Sequence, residues 1–412
     1  MRPGTPGFVG DRLREAREAR GLTGPTLADL LGVSRQSVSA YENSNATPGP
    51  EVADRILTVL NLPMRFFLDT GPSEDPSPIY WRSRAAATKA ARERSQRRYN
   101  WLRRITQHLT EFVRFPDVQL PPALVVSEPV QIANDDIDDA ARRTRSFFGL
   151  GSGAIENVTW LLENHGVIIG YAELGAPTLN SFSQMCRDGR AFAIVNAEHG
   201  SSVRYRFDLA HELGHLVLHR NLDGSHFSNT TRNALIEHQA DRFAREFLMP
   251  SQAFAKNFYS TTLDGLKVVK RMWGVSMQAA LMHATDLDLV NKVQAQKLWR
   301  GISMRGWRRN EPFDDVIPRE NAELLRSAFD EVLRAGVTPE ALLEALPYSA
   351  REIEVLCGLE PGKLGGSVDA ASVFELSSAS RPTPKPVVTR PDRQPAAGAE
   401  VIIFGHDRRD RS

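Results

Sequence analysis

Residues 206–219 read RFDLAHELGHLVLH, two histidines four positions apart with a glutamate beside the first. On an α-helix, residues four apart stack one turn above the other on a single face. His211 and His215 can therefore aim both imidazoles at one cation, with Glu212 placed to act on a water held there. A catalytic Zn2+ needs one further protein ligand beside its open position. The stretch NALIEHQADRFAREFLMP (233–250) predicts a second long helix, stopped at Pro250, and it offers Glu237 and Asp241, again four apart. One carboxylate can serve as ligand while the other, a turn away, orients a ligand histidine. Leu235, Ala240, Phe243, Ala244, Phe247 and Leu248 predict that this helix packs on the first, and the small Ala240 and Ala244 permit close approach.

Around this pair the pattern is mixed. GVIIGY (166–171), PALVV (122–126) and RAFAIVNAE (190–198) read as short strands, with helices expected over 136–149 and 155–165. The run AFAIVN is either an interior strand of a small sheet or an edge against which an extended peptide could lie. Residues 251–304 read as helical, and 318–360 as further short helices. His219, Tyr205, His226 and His238 are the candidates for stabilising an oxyanion, although a packing or solvated role is the simpler reading of each.

Toward the N-terminus, TLADLLGVSRQSVSAYENS (26–44) shows a helix, a break at Gly32, an N-cap at Ser34 and a second helix. RMWGVSMQAALMHA (271–284) echoes its Gly-Val-Ser step, and packing on the metal-bearing part is the favoured reading. The acidic, proline-rich GPSEDPSP (71–78) reads as a linker. The arginine-rich 81–104 reads as a helix, either lying along phosphates or solvated at the surface. Beyond Gly365 periodicity is lost, and a disordered tail is expected.

Composition narrows the class. The 412 residues carry 51 Lys+Arg against 50 Asp+Glu, a net charge of +1, so nucleic-acid binding must come from local patches. Two cysteines far apart, Cys186 and Cys357, read as free thiols. No signal-peptide pattern and no long apolar run is present, so a soluble, cytoplasmic protein with no membrane partner is expected.

RFDLAHELGHLVLH followed by IEHQADRFAREFLMP resembles the ImmA/IrrE family of metallo-endopeptidases, over roughly residues 150–300. The resemblance implies a gluzincin-like zinc peptidase with His211, His215 and Glu237 as ligands and Glu212 as general base, which leaves Asp241 as the carboxylate that orients a ligand histidine. Members often carry a second acid where this chain has Gln239, which favours Glu237 as the third ligand. Residues 8–68 resemble the XRE-type helix-turn-helix family of Cro and phage repressors. That likeness implies that Arg35, Gln36, Ser37 and Ser39 face the DNA groove or its phosphates and that Asn43 reaches the backbone. One departure is Gly24-Pro25, where the family usually has a phosphate-clamping Gln.

The expected fold is α+β and predominantly helical. It comprises a helix-turn-helix domain (1–70), a linker with a basic helix (71–119) and a zincin-like peptidase domain with a small sheet (120–310), which includes a second helix-turn-helix-like segment (263–305). A helical region (311–365) and a disordered tail (366–412) complete it. The expected function is a DNA-binding regulator, a possible dimer on two half-sites, whose zinc-dependent endopeptidase cleaves a helix-turn-helix repressor. The alternative is a transcriptional regulator or antitoxin-like protein whose peptidase-like domain is structural or metal-sensing.

Overall fold

A computed structural model describes residues 4–71, 75–83, 88–172, 179–196, 201–365 and 402–403. Five short helices open the chain: α1 (Gly10–Ala19), α2 (Gly24–Leu31), α3 (Arg35–Glu42), α4 (Pro50–Leu60) and α5 (Met64–Leu68). Gly32 turns the chain between α2 and α3 in the left-handed conformation, at φ 62°. Ser34 then caps α3, its side chain accepting from the Ser37 amide.

A four-stranded sheet follows, in spatial order β1 (Tyr80–Ser83), β4 (Leu179–Met185), β5 (Ala191–Asn196), β3 (Val167–Ala172). β3 and β5 run parallel and the other pairs antiparallel. Ile168, Phe192 and Ile194 enter one core, whereas Val167, Ile169, Ala193 and Val195 enter the other. Such alternation is the period-2 geometry of a strand covered on both faces.

On one side lie α7 (Asn134–Phe147), α8 (Val158–Asn164), α9 (Ser202–Leu218), α10 (Ser225–Ser228), α11 (Thr230–Leu248) and α12 (Ser251–Asn257), with α13 (Leu263–Trp273), α14 (Met277–Asp286) and α15 (Lys292–Met304). On the other, α6 (Lys89–Leu109) and the C-terminal helices α16 (Leu324–Arg334), α17 (Pro339–Ala345) and α18 (Ala350–Cys357) share a core with α1–α5. Trp101 of α6 is the keystone: fully buried, it stacks near Phe66 and Tyr348 and donates its indole N–H to Glu15. The basic helix therefore spends its arginines internally. Arg97 pairs with Glu18, Arg98 with Glu352, Arg103 with Asp75 and Arg104 with Asp69.

Three local readings change. Trp81–Ser83 form a strand where a helix was expected, and the helix begins only at Lys89 behind a Thr88 cap. PALVV is extended chain, its Leu124 amide bonded to Val217 of α9 in place of a strand ladder. LNSFSQM, unread as a strand, is β4: its polar residues face inward, which hides the usual apolar alternation. The expected disorder of 366–412 concerns residues outside those described, except Ile402–Ile403, a short strand β6 paired with β2 (Val113–Arg114).

The Gly-Val-Ser echo is geometric. Gly274 and Ser276 reproduce Gly32 and Ser34 in backbone angle, 63° and 38° against 62° and 38° at the glycines. The serine caps likewise match, and α15 follows behind an Asn291 cap as α4 follows Gly49. The burial is reversed, however. Met277 and Leu281, which correspond to the exposed Arg35 and Ser39, are sealed in the core, and His283 bonds the Met249 carbonyl. This second unit packs its would-be reading helix inward.

Candidate metal centre

α9 and α11 carry the site, and their approach depends on small residues. A Cβ on Gly214 would come within 3.1 Å of Phe243 and 3.3 Å of Ala240, so the bare glycine is what lets the two helices meet. Across that contact α9 presents His211 and His215, and α11 presents Glu237. Their donor atoms lie within 4.8 Å of one another. The two Nε2 atoms are 3.0 Å apart, Glu237 Oε1 is 3.3 Å from His215 Nε2, and Oε2 is 3.6 Å from His211 Nε2. Donors bound to one tetrahedral zinc at about 2.0–2.1 Å stand about 3.3 Å apart, so the spacing fits.

The donor chemistry fits as well. Asp241 Oδ1 lies 2.9 Å from His211 Nδ1, which fixes that proton on Nδ1 and leaves Nε2 a bare lone pair aimed at its neighbours. Two imidazole nitrogens and a carboxylate converging at this spacing form a donor set suited to a cation. Glu237 must be ionised to serve as a ligand. Both histidines are sealed, whereas Glu237 keeps 17% of its side chain exposed, so solvent reaches the donors from its side.

Glu212 is fully buried. Its two oxygens accept from Ser181 Oγ at 2.5 Å and Ser183 Oγ at 2.6 Å, both on β4. A carboxylate offers about four acceptor sites, so one serine on each oxygen leaves room for a water. Sequence reasoning missed these serines; the signal available was Ser-x-Ser two apart, side chains that share one face of a strand. β5 is interior, paired on both sides, so it offers no free edge. The outer edge of β4 is taken by β1, whose Tyr80 ring stacks 5.4 Å from that of His215.

The four oxyanion candidates separate. Tyr205 is buried against Tyr171, His238 is exposed, and His226 is buried near Glu128. His219 touches the site directly, with Nδ1 3.0 Å from Nδ1 of His215, and burial drives its pKa far below the usual histidine range.

On the opposite core, the α3 surface is open. Arg35, Gln36 and Ser39 are exposed. Ser37 is engaged with Ser34 Oγ, and the Asn43 carbonyl accepts from Arg14 while its amide bonds the Ser39 carbonyl. Arg35 and Gln36 thus stand exposed at the start of α3.

Residues 162–285 match the IrrE N-terminal-like domain family, and residues 13–67 match the helix-turn-helix family. The chain carries an XRE-type helix-turn-helix domain of the DNA-binding kind and, after it, an IrrE-like domain of a metallopeptidase-like family. Among similar proteins, a provisionally named HTH-type transcriptional regulatory protein of Pyrococcus furiosus is 42% identical over 55 residues, 13% of this chain and 18% of its own. Uncharacterized HTH-type transcriptional regulators of Sinorhizobium medicae and Rhizobium meliloti are each 30% identical over 66 residues, 16% of this chain and 48% of theirs. The chain thus spans less than half the length of each relative. Among the described residues, no helix is long and apolar enough to cross a membrane.

Proposed function

We propose that this protein is a DNA-binding regulator with a zinc-dependent endopeptidase centre, acting on a protein held at the same DNA. The observation that carries this reading is the convergence of His211 Nε2, His215 Nε2 and the Glu237 carboxylate at a spacing suited to zinc. In it, His211, His215 and Glu237 hold the metal, and Asp241 orients His211. Zinc held by these residues would supply Lewis acidity toward a peptide carbonyl and would make a nearby water easier to deprotonate. Glu212, steadied by Ser181 and Ser183, takes the proton and returns it to the leaving amine. The substrate is a helix-turn-helix repressor: a module bound to the same DNA raises the effective concentration of protease and substrate toward each other. Arg35, Gln36, Ser37, Ser39 and Asn43 are the DNA-contacting set.

A second reading draws on one observation, the covering of β4 by β1 beside the donors, which occupies the strand edge an extended peptide would use. In that reading the metal alters a regulator without hydrolysis. The test is metal content of the purified chain, then cleavage of co-expressed helix-turn-helix repressors by wild type and Glu212→Gln. Zinc bound by both proteins and cleavage by wild type alone supports the peptidase; zinc without cleavage by either supports the sensor.

A further inference from the structure

His215 differs from His211 in what lies behind it. His211 backs onto a carboxylate, whereas His215 Nδ1 faces another imidazole nitrogen, Nδ1 of His219, at 3.0 Å. Between two such nitrogens only one proton fits, and which ring carries it decides whether His215 can bind metal through Nε2. Gln239 settles this. Its amide nitrogen lies 2.8 Å from the Pro129 carbonyl and 3.2 Å from that of Ile132. Two carbonyl acceptors demand the NH2 end there, so the other end, Oε1, must be the acceptor 3.1 Å from His219 Nε2. His219 therefore carries its proton on Nε2 and presents a lone pair at Nδ1. His215 must then donate from Nδ1, which leaves Nε2 bare and aimed at Glu237 and His211.

We infer that Gln239 and His219 are positioning residues that lock the metal-binding tautomer of His215 through a one-way chain of hydrogen bonds starting at the Pro129 and Ile132 carbonyls. The inference rests on the metal-site reading above and deepens it. A carboxylate at position 239 would face the same two carbonyl oxygens with no proton to offer. The chain is sealed, since His215, His219 and Gln239 are all at most 1% exposed, so no solvent proton scrambles the order.

The test uses the full chain with 15N-labelled histidine. A 15N–15N coupling across the hydrogen bond, with the proton on His215 Nδ1, is expected already in the metal-free protein; a proton on His215 Nε2 in that metal-free chain overturns the proposal. His219→Leu removes the acceptor and weakens zinc binding, measured by competition with a chromophoric chelator, about 10–100-fold. His219→Asn places an amide oxygen near the lost Nδ1 and recovers most of that loss. A mere packing role predicts no such rescue, and equal zinc affinity in all three proteins refutes the relay. Should the wild-type chain bind no zinc, the metal reading fails, and the proton position measured in the metal-free chain at alkaline pH still decides the relay by itself.

Discussion

Among the contacts that tie the reading head to the body of the protein is one buried carboxylate. Glu352 of α18 accepts from Arg20 of α1 at 2.6 Å on one oxygen, and Arg98 of α6 lies 2.8 Å from the other. Burial by itself would raise this carboxyl, but the two guanidiniums overcome it and hold the group at about 2, against an ordinary 4.5. At about 1.4 kcal/mol per pH unit, that depression makes the ionised form worth roughly 3 kcal/mol. Stripping one partner from a buried ion pair costs about 3–5 kcal/mol, so the two routes agree. Arg20 keeps 21% of its side chain exposed and can rehydrate, which favours the lower end. Glu352→Gln should therefore accelerate amide exchange in α1 and α18 by roughly 100-fold at pH 7, leaving α9 and α11 little changed. The sign with pH follows from a depressed carboxyl: the stabilisation is full above about 4.5 and drains away as pH falls toward 2. Wild type should lose protection in α1 and α18 across that window, and the Gln variant should be flat there. Equal exchange in the two proteins at pH 7, read by mass spectrometry, would refute the ion-pair account of the junction.

Other outcomes concern the two functional surfaces. Glu237→Ala removes one of three donors and should lower zinc affinity at least 100-fold by chelator competition; full retention would move the third ligand to Asp241. Gly214→Ala inserts a methyl 3.1 Å from Phe243, which should part α9 from α11 by a few tenths of an ångström and weaken zinc several-fold. Unchanged affinity would show the helices can slide without disturbing the donors. Arg35→Ala should reduce duplex binding in a gel-shift assay at least about fivefold, in keeping with about 1–3 kcal/mol for a base-reading side chain. Met282→Ala, on the exposed side of α14, should leave the shift unchanged; a comparable loss there would mean that the second helix-turn-helix-like unit meets DNA after all.

Both helices of the candidate site were legible because helical periodicity turns spacing into direction. His211 and His215 on one helix, and the pair Glu237 and Asp241 on the other, could be placed on facing surfaces from an interval of four and two apolar stripes, whereas the choice of Glu237 over Asp241 rested on the family resemblance. The turn at Gly32 was legible for the same local reason, a left-handed residue followed by a serine cap, and the identical signal at Gly274 correctly announced identical backbone. Burial does not follow from backbone, however. Arg35 and Met277 occupy matching positions in the two units, yet one meets solvent and the other the core, because only the second is backed by the helices of the metal-bearing side. β4 escaped notice since Ser181 and Ser183, polar in sequence, are buried to serve Glu212.

What the chain determines by itself is therefore local: helix faces, caps, the donor types and the ionic character of the basic helix. Tertiary structure decided the rest, namely that the sheet separates the reading head from the metal side, that α6 spends its arginines on Glu18, Asp69, Asp75 and Glu352, and that His219 and Gln239 stand in line behind His215. Each of these contacts joins residues from about 20 to about 250 positions apart, or fixes a proton by the partner a side chain meets. Periodicity carries no information about such partners, because they are chosen by packing between elements.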